Sequence, residues 1–362
     1  MNDARHMQHA LRLAGRGLGR VAPNPSVGCV IVSRDDRTLG RGRTADGGRP
    51  HAEAVALAQA GKAARGATAY VTLEPCAHHG QTPPCARALI EAGVARVIAS
   101  MEDPDPRVSG RGFAVLREAG IEVTTGLLAK EAASLNAGFF LRVREERPLV
   151  TLKIAQSLDG KTATSSGESQ WITGEHARRF GHLLRARHDA ILIGVETALA
   201  DDPELTCRIP GLESYSPMRV VLDTRLRLGE GSRLARSANE IPTLVYSIGN
   251  SSPALAACGV EIVTVARDAR GRPDIGAVLT DLAGRGVTRL LVEGGAGVHA
   301  AFVDRAYADR LEVFRSPMLV GDAGHSAVSA LAAFTLDEAP RFVCVSRRMM
   351  GPDLLESFEA RA

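Results

Sequence analysis

Apolar residues recur with a helical period at the start of the chain and in short unbroken runs after it. Met7, Ala10, Leu11 and Ala14 share one face of a helix that we expect over residues 3–20. Further strands and helices then alternate, separated by glycine or proline. The strands expected in this half are 27–32, 69–73, 94–100 and 121–124, and the later helices are 50–60, 85–92 and 113–119.

The same alternation restarts at Leu149, after the charged, proline-containing stretch Arg144–Pro148. Such a stretch is typical of an interdomain linker. We expect strands at 149–155, 190–194, 219–222, 242–246, 261–264, 289–292 and 310–314, and helices at 175–187, 275–285 and 298–303. Alternating strands and helices predict sheets covered by helices. The fold class is therefore α/β, in two domains at residues 1–147 and 148–362.

Length, charge and cysteine content favour a two-domain enzyme over several other classes. A chain of 362 residues is long for one domain, and 45% hydrophobic residues suffice for proper cores. A formal charge of +3 gives no reason to expect a nucleic-acid partner. No apolar run is long enough for a membrane span, so no membrane partner is expected. Six irregularly spaced cysteines do not resemble a disulfide framework, and we expect a cytoplasmic protein.

Three residues with metal-binding side chains, His51, Cys76 and Cys85, each follow a proline in the first domain. Imidazole and thiolate suit Zn²⁺, and three protein ligands leave a fourth position for water in a catalytic site. Glu53 stands two residues after His51, where its carboxylate is placed as a proton shuttle rather than a ligand. The order H-x-E, then P-C and a second cysteine, is the signature of zinc deaminases. The motif therefore predicts a catalytic zinc site.

Other interpretations of these residues remain open at this point. His and Glu are common at a helix start, and two cysteines separated by eight residues can form a disulfide or lie buried as thiols. A structural zinc needs a fourth protein ligand, which His78 or His79 is able to supply. Glu53 discriminates between the two kinds of zinc site, because a structural site has no use for an acid beside the metal.

The second domain contains a strand that turns through glycines into a helix, Leu291–Gly297. Glycine lets the backbone approach a ligand closely, and a helix start offers N–H groups to a phosphate. The G-x-G-x-x-G pattern with its later acid is absent, so this is not a Rossmann fingerprint. By itself, the turn predicts tight backbone geometry more strongly than it predicts a phosphate site.

Taken together, these residues resemble the bifunctional riboflavin-biosynthesis deaminase–reductase family over nearly the whole chain. The motifs that carry the resemblance lie in both halves, in the family's order. They are Ala22–Pro25 with Val27–Val30, His51–Glu53, Glu74–Cys76 with Thr82–Cys85, Lys153, Ser157–Gly160, Ser166–Thr173, Asp201–Pro203 with Leu205–Thr206, and Glu293–Gly295. The eight-residue spacing between the cysteines is this family's own form of the zinc motif.

The resemblance implies two consecutive reactions on one pathway intermediate. The first domain is similar to cytidine deaminases, which have an α/β/α fold, and is expected to remove the 2-amino group of 2,5-diamino-6-ribosylamino-4(3H)-pyrimidinone 5′-phosphate. The second is similar to dihydrofolate reductase and is expected to use NADPH to reduce the ribosyl group, giving 5-amino-6-(5-phospho-ribitylamino)uracil. The implied cofactors are Zn²⁺ and NADPH, and the partner is this small pyrimidine ribotide.

The resemblance also implies roles for individual residues. In the first domain, Glu53 is the catalytic acid–base, and His51, Cys76 and Cys85 bind the metal. Asn24, just ahead of a buried strand, is a candidate substrate contact. The residues implied near NADP are Ala155, Trp171, Thr197, Asp201, Thr224, Gly295, Ala296, Gly297, Val298, His299, Ala300 and Ala301. Those implied near the sugar phosphate and its hydroxyls are Lys153, Ser169, Arg185, Leu205, Arg208 and Glu293.

Physical chemistry supports part of this assignment. Arg185 and Arg208 are able to hold a phosphate with paired donors, and Trp171, set among polar residues, is expected to form a wall of the cofactor site. Three positions depart from the usual pattern: Thr44, where many relatives have His, Asp105, where Asn is common, and Gln156, where a small or apolar residue is frequent. The first two bear on substrate contacts rather than on the metal.

The nearest rival is a deaminase of a free nucleoside or a tRNA base, fused to an unrelated α/β domain. A tRNA-binding enzyme needs a basic surface, and a net charge of +3 over the chain gives little sign of one. We expect the protein to form a homo-oligomer, a dimer or a tetramer.

Overall fold

The chain divides between Glu146 and Arg147 into two units, Met1–Glu146 and Arg147–Ala362. The structure is a computed structural model that describes residues 2–77, 83–105, 109–249, 251–333 and 335–361. His78 and His79 lie outside the described residues. Arg147 belongs to the second unit because its guanidinium donates two hydrogen bonds to the Asp309 carboxylate, at 2.8 and 3.0 Å.

The first unit is a five-stranded sheet with helices on both faces. Its strands are β1 (Gly28–Val32), β2 (Thr38–Arg43), β3 (Thr68–Val71), β4 (Arg96–Ala99) and β5 (Glu122–Thr125), in the order β2-β1-β3-β4-β5. Its helices are α1 (Asp3–Gly15), α2 (Ala52–Ala60), α3 (Cys85–Glu91), α4 (Arg111–Glu118) and α5 (Ala129–Glu145). Strand β1 is antiparallel to both neighbours, whereas β3, β4 and β5 are parallel.

Both faces of β1 are buried, which explains its unbroken apolar sequence. Cys29 and Ile31 pack into the core on one face, and Val30 and Val32 pack into the core on the other. Helix α2 lies close against β2, where the Cβ of any residue other than glycine at position 40 or 42 would overlap a carbonyl oxygen of α2. These glycines allow α2 to pack closely against the sheet. Because Glu53 is on α2, this packing sets the position of Glu53.

The second unit is built on a nine-stranded sheet in the order β11-β10-β9-β8-β12-β6-β13-β16-β15. The strands of this unit are β6 (Leu149–Gln156), β7 (Lys161–Ala163), β8 (Ala190–Gly194), β9 (Met218–Leu222), β10 (Thr243–Ser247), β11 (Glu261–Thr264), β12 (Arg289–Val292), β13 (Arg310–Arg315), β14 (His325–Ser326), β15 (Phe342–Met350) and β16 (Asp353–Ala360). Its helices are α6 (Glu175–Ala186), α7 (Val195–Asp201), α8 (Arg233–Arg236), α9 (Pro253–Ala257), α10 (Ile275–Gly284) and α11 (Ala296–Asp304). Strands β7 and β14 pair separately.

Seven neighbouring strands of this sheet, from β11 to β13, are parallel, and β16 and β15 add an antiparallel edge. The central parallel strands, from β10 to β6, are largely buried on both faces, with separate apolar clusters above and below them. Because parallel strands end at one edge of the sheet, the loops after β6, β8, β9 and β12 meet at that edge, where ligands bind in open α/β sheets.

Several expected boundaries differ from the observed ones. Helix α1 ends at Gly15 rather than at residue 20, because a glycine-rich stretch with Gly17 and Gly19 follows it. Strands β2, β15 and β16 and helix α5 were not expected. Strand β15 is mostly exposed on both faces, so it lacks the apolar alternation that marks a half-buried strand. Within the described ranges, no helix combines the length and the apolar composition that a membrane span requires.

Candidate active sites

The three expected metal ligands converge in the first unit. The Nδ1 atom of His51 lies 3.6 Å from the Cys76 sulfur and 3.4 Å from the Cys85 sulfur, and all three ligand atoms lie within 4.8 Å of one another. One imidazole and two thiols are the donor set that borderline-soft Zn²⁺ prefers. The side chains therefore fit a zinc ion, and among the described residues they are the one such cluster of His, Cys, Asp or Glu.

Three separate elements bring these ligands together. His51 has an extended backbone and occupies the N-cap position of α2, Cys76 follows the end of β3, and Cys85 is the first residue of α3. The backbone N–H of Cys85 also points at the Cys76 sulfur, at 3.4 Å. A hydrogen bond from the Cys85 thiol is the main cause that holds the pKa of Cys76 well below its usual value. The lowered pKa favours the thiolate, the form that binds metal.

Glu53 lies in the first turn of α2, beside the ligands but outside the set. Its side chain is buried, with 3% of the residue exposed. Burial raises the pKa of the Glu53 carboxyl to about 7, and the nearby charge of Cys76 adds to the shift. A carboxyl group with a pKa near neutrality is able to accept and return a proton, as the expected shuttle requires.

A second buried carboxylate, Glu74, fixes the backbone next to Cys76. Its oxygens accept hydrogen bonds from four backbone N–H groups, those of Asp103 (3.2 Å), Gly110 (3.0 Å), Gly112 (2.8 Å) and Phe113 (3.3 Å). Glu74 therefore provides acceptors for the free backbone N–H groups at the start of α4. It also links this helix to the segment that carries Cys76. The sequence motif contained Glu74, but only the tertiary structure shows what it holds.

Replacing Glu74 with glutamine should loosen this region. The amide NH₂ group would face backbone N–H donors, leaving buried donors without an acceptor at a cost of about 1–3 kcal/mol. We expect a lower free energy of unfolding, faster hydrogen exchange at Gly112 and Phe113, and a larger loss of deaminase than of reductase activity. Glu102→Gln is the control, because within the part of the chain that the structure describes this exposed carboxylate accepts a single hydrogen bond, from the exposed Ser109 hydroxyl. Equal stability of the two variants would contradict this role for Glu74.

A cavity of about 190 Å³ opens beside the metal ligands, and it contains the expected substrate residue Asn24 as well as His51, Glu53 and Cys76. Gly48 has a positive φ of 86°, and a Cβ there would overlap the Asn24 side chain. Other lining residues were not expected from the sequence. They are Arg49, Leu73, Glu74, Asp103, Phe139, Arg142 and Val143, together with Thr44 and Asp105, the two positions that depart from the family pattern.

Two of these lining residues have environments that the sequence does not disclose. Burial raises the pKa of Asp103 to about 6. The Thr44 hydroxyl accepts a hydrogen bond from the Val27 N–H and donates one to the Pro25 carbonyl, so it braces the Asn24 turn. Arg142 comes from α5, for which no sequence signal was recognised, whereas Asp103 follows a parallel strand and was recognisable from that position.

In the second unit, three expected substrate residues form one buried charge cluster. The Nε and Nη2 atoms of Arg185 donate to the two carboxylate oxygens of Glu293, at 2.8 and 3.0 Å, and the Lys153 ammonium lies 3.7 Å from the same carboxylate. Burial alone would raise the pKa of Glu293, but the charges of Arg185 and Lys153 outweigh it and hold the pKa at about 2. Because the paired donors of Arg185 face Glu293, they are not directed at a phosphate in this structure.

A cavity of about 590 Å³ lies at the edge of this sheet where the loops after β8, β9 and β12 meet. Its volume is within the size range of cofactor sites. Seven of the expected cofactor residues line it: Thr197, Thr224, Gly295, Ala296, Gly297, Val298 and Ala301. Gly194 and Gly294 are required by close contact with Val298, whereas the space beside Gly297 is open. The first turn of α11 therefore offers backbone N–H groups to the cavity, as the phosphates of a dinucleotide require.

The remaining expected residues lie elsewhere. His299 and Ala300 are buried on the inner side of α11, where the His299 ring bonds the Ala327 carbonyl at 3.0 Å. Trp171 is 62% exposed, lines a separate shallow cleft, and packs under the Arg178 guanidinium at 4.6 Å. Ala155 and Asp201 are also absent from the lining of the large cavity.

The other substrate residues show no common cluster. Arg208 is exposed and pairs with Glu204 at 3.3 Å, and Leu205 is buried with a positive φ of 57°. Ser169 is half-buried, and its carbonyl accepts a hydrogen bond from the Ile172 N–H. In this structure none of the three contacts Glu293 through a hydrogen bond or an ion pair among the described residues.

Comparison with known proteins gives a consistent result for both units. Residues 1–101 match the family described as the cytidine and deoxycytidylate deaminase zinc-binding region, and residues 148–355 match the RibD C-terminal domain. The riboflavin biosynthesis protein RibD of Bacillus amyloliquefaciens is 41% identical over 354 residues, which cover 96% of this chain and 94% of that protein. RibD of Escherichia coli strain K12 is 40% identical over 365 residues, covering 98% of each.

A solved structure extends the similarity to the fold. It is described as a diaminohydroxyphosphoribosylaminopyrimidine deaminase/5-amino-6-(5-phosphoribosylamino)uracil reductase from Thermotoga maritima. This chain matches it with a TM-score of 0.88 and 36% identity, over 99% of both chains.

Proposed function

This chain belongs to the RibD family of riboflavin-biosynthesis proteins, and we propose that its two cavities carry the family's deaminase and reductase reactions through the residues described above. It is a bifunctional enzyme with a zinc-binding deaminase domain and a reductase domain. The proposed division assigns residues 1–146 to the deaminase and residues 147–362 to the reductase, one residue before the boundary expected from the sequence. The observation that carries the first assignment is the His51–Cys76–Cys85 cluster with Glu53 buried beside it.

The proposed substrate of the first step is 2,5-diamino-6-ribosylamino-4(3H)-pyrimidinone 5′-phosphate. His51, Cys76 and Cys85 would hold Zn²⁺, which supplies Lewis acidity that brings the pKa of a water molecule toward neutrality. Glu53 accepts one proton from the attacking water and passes it to the ring nitrogen as the C–O bond forms. It then takes the second proton from the added hydroxyl and passes it to the amino group, which leaves as ammonia when the C–N bond breaks and the carbonyl forms. Asn24 contacts the substrate in the same cavity.

The proposed second step reduces the ribosyl group of the deaminated product to ribityl. NADPH, which supplies the hydride, would be held by the first turn of α11 and by Thr197 and Thr224. Lys153 and Glu293 orient the sugar, and Arg185 keeps Glu293 ionised and fixed in position. The roles assigned to Ala155, Trp171, Asp201, Ser169, Leu205 and Arg208 remain predictions from the family resemblance.

Zinc content and two coupled assays test the proposal. Purified protein should contain about one zinc per chain, release ammonia from the diaminopyrimidinone ribotide without NADPH, and oxidise NADPH only after deamination. Zinc without ammonia release would contradict the proposed substrate and direct attention to nucleosides or tRNA. NADPH oxidation by a zinc-free protein would support the reductase alone.

A cytoplasmic location and a homo-oligomeric state, dimer or tetramer, are also part of the proposal. All six cysteines are free, as expected in a reducing compartment. The edge strand β15 exposes Val343, Val345 and Met349, and an uncovered edge strand with exposed apolar residues is suited to pairing. Light scattering on the purified protein measures the oligomeric state directly.

A further inference from the structure

Four arginines line a recess of about 290 Å³ that adjoins the large cavity of the reductase domain. They are Arg225, Arg227, Arg270 and Arg272, and the recess shares Thr224 and three of these arginines with the cavity wall. None of the four was assigned a role from the sequence. Their guanidinium groups come from two separate loops, one after β9 and one after β11.

The recess carries an excess of positive charge. Its one acidic lining residue is Glu196, which is 80% exposed and pairs with Arg227. The side chains of Arg225, Arg270 and Arg272 have no hydrogen-bond or ion-pair partner among the described residues. Guanidinium groups concentrated in a concave site attract an anion with several acceptor oxygens, and their planar paired donors match a phosphate.

The loop that carries Arg270 and Arg272 is held in a fixed conformation. The Asp268 carboxylate accepts hydrogen bonds from the backbone N–H groups of both arginines, at 2.9 and 2.8 Å. The same carboxylate binds the Arg305 guanidinium at 3.1 Å, which anchors the loop to the end of α11. The loop backbone is therefore fixed, and binding an anion has to order only the exposed arginine side chains.

The strand order sets the distance between this recess and the turn Glu293–Gly295, which we call the glycine turn. The turn follows β12, whereas the recess residues follow β9 and β11, two and four strands away. At about 4.8 Å per strand, the separation along the sheet edge is roughly 10–20 Å. That distance suits a ligand with one phosphate group at the glycine turn and a second phosphate beyond it.

We propose that this recess binds the 2′-phosphate of NADPH and that Arg270 and Arg272 set the preference for NADPH over NADH. The proposal rests on the proposed reductase function. The chemical group is a phosphate monoester, which both NADPH and the ribotide substrate carry, and the experiment distinguishes these two sources. Asp268 is a positioning residue, since it holds both arginines through their backbone.

Direct binding measurements on the full-length zinc-loaded protein test this assignment without using turnover. NADPH, NADH and ribose 5-phosphate are titrated by calorimetry into the wild type, Arg270→Ala, Arg272→Ala and the double variant. Each single variant should weaken NADPH binding about 10-fold and the double variant about 100-fold, because charge-assisted hydrogen bonds are lost. Affinities for NADH and ribose 5-phosphate should change less than about threefold. Asp268→Asn should weaken NADPH binding and leave NADH binding unchanged.

Arg236→Ala is the matched control, because Arg236 is an exposed arginine of the same unit that lines neither cavity. It should bind all three ligands like the wild type. An equal loss for NADPH and NADH, or unchanged NADPH binding in the double variant, would overturn the recess assignment alone. A loss for ribose 5-phosphate only would show that the recess serves the substrate, which also overturns it. Failure of the wild type to bind NADPH would overturn the reductase proposal as well.

Discussion

Replacing Glu53 with glutamine should abolish ammonia release while leaving zinc bound. Glutamine has the same shape as glutamate, so it fits the buried site, but it cannot accept a proton from water. Loss of a general acid–base costs about 100-fold to 10,000-fold in rate. Zinc should stay because Glu53 is outside the His51–Cys76–Cys85 ligand set. Metal analysis and ammonia release, measured on the same preparation, test both parts.

Two comparisons make this result specific. Cys76→Ser should lose both zinc and ammonia release, because it removes a ligand rather than the proton shuttle. In both variants the reductase domain should oxidise NADPH when the deaminated intermediate is supplied, which shows that the second half is folded and active. Turnover of the diamino substrate by Glu53→Gln at the wild-type rate would show that Glu53 is not the shuttle.

Glu293→Gln should have the largest effect in the second domain, on both stability and reduction. The variant leaves the nearly buried guanidinium of Arg185 and the ammonium of Lys153 without their carboxylate. Removing one partner of a buried charge pair costs about 3–5 kcal/mol. We therefore expect a lower free energy of unfolding in denaturant and at least about 100-fold slower NADPH oxidation on the deaminated intermediate, with the deaminase step unchanged.

Glu261→Gln is a matched control for this variant. Arg285 also donates two hydrogen bonds to one carboxylate, from Nη1 and Nη2 to Glu261 at 3.0 and 2.7 Å, but that carboxylate is 56% exposed. Exposed pairs contribute at most about 1 kcal/mol, so the control should be nearly as stable as the wild type. Comparable losses of stability in the two variants would show that burial does not increase the contribution of the Glu293 charge cluster.

The effect of Glu293→Gln should also depend on pH in a defined direction. The pKa of Glu293 is lowered from the ordinary 4.5 to about 2 in the folded protein. A depressed carboxyl pKa stabilises the folded state above pH 4.5, and this contribution is lost as the pH falls toward 2. The stability difference between wild type and variant should therefore shrink through that window in denaturation curves. A difference that stays constant through that window would mean that it does not arise from ionisation of Glu293.

Elements with strong local signals were predictable from the sequence. Strands β8, β11 and β12 have the expected bounds, because each contains two or more adjacent apolar residues within a short segment of a parallel sheet. Elements whose burial depends on distant partners were not. Helix α5 has little apolar periodicity to mark it, yet its Arg142 reaches the deaminase cavity.

The two sites differ in how much of them the sequence disclosed. Zinc ligation needs particular atoms, so residue type and order predict His51, Cys76 and Cys85 as ligands, and the structure brings their ligand atoms within 4.8 Å of one another. A dinucleotide is held mainly by backbone groups and cavity shape, for which many residue types serve. This explains why Trp171 and Asp201, assigned by resemblance, do not line the large cavity, whereas Arg270 and Arg272, without any motif, line both it and the recess.

The sequence by itself determined the α/β class, the two domains' chemistry and the family, and it predicted the zinc donor set. These follow from local patterns and from side chains whose chemistry has few alternatives. The tertiary structure alone decided that Glu74 holds the start of α4, that Arg185 is directed at Glu293, and that four arginines share one recess. Each of these depends on which residues, distant in sequence, end at the same edge of a sheet, and no local pattern records that.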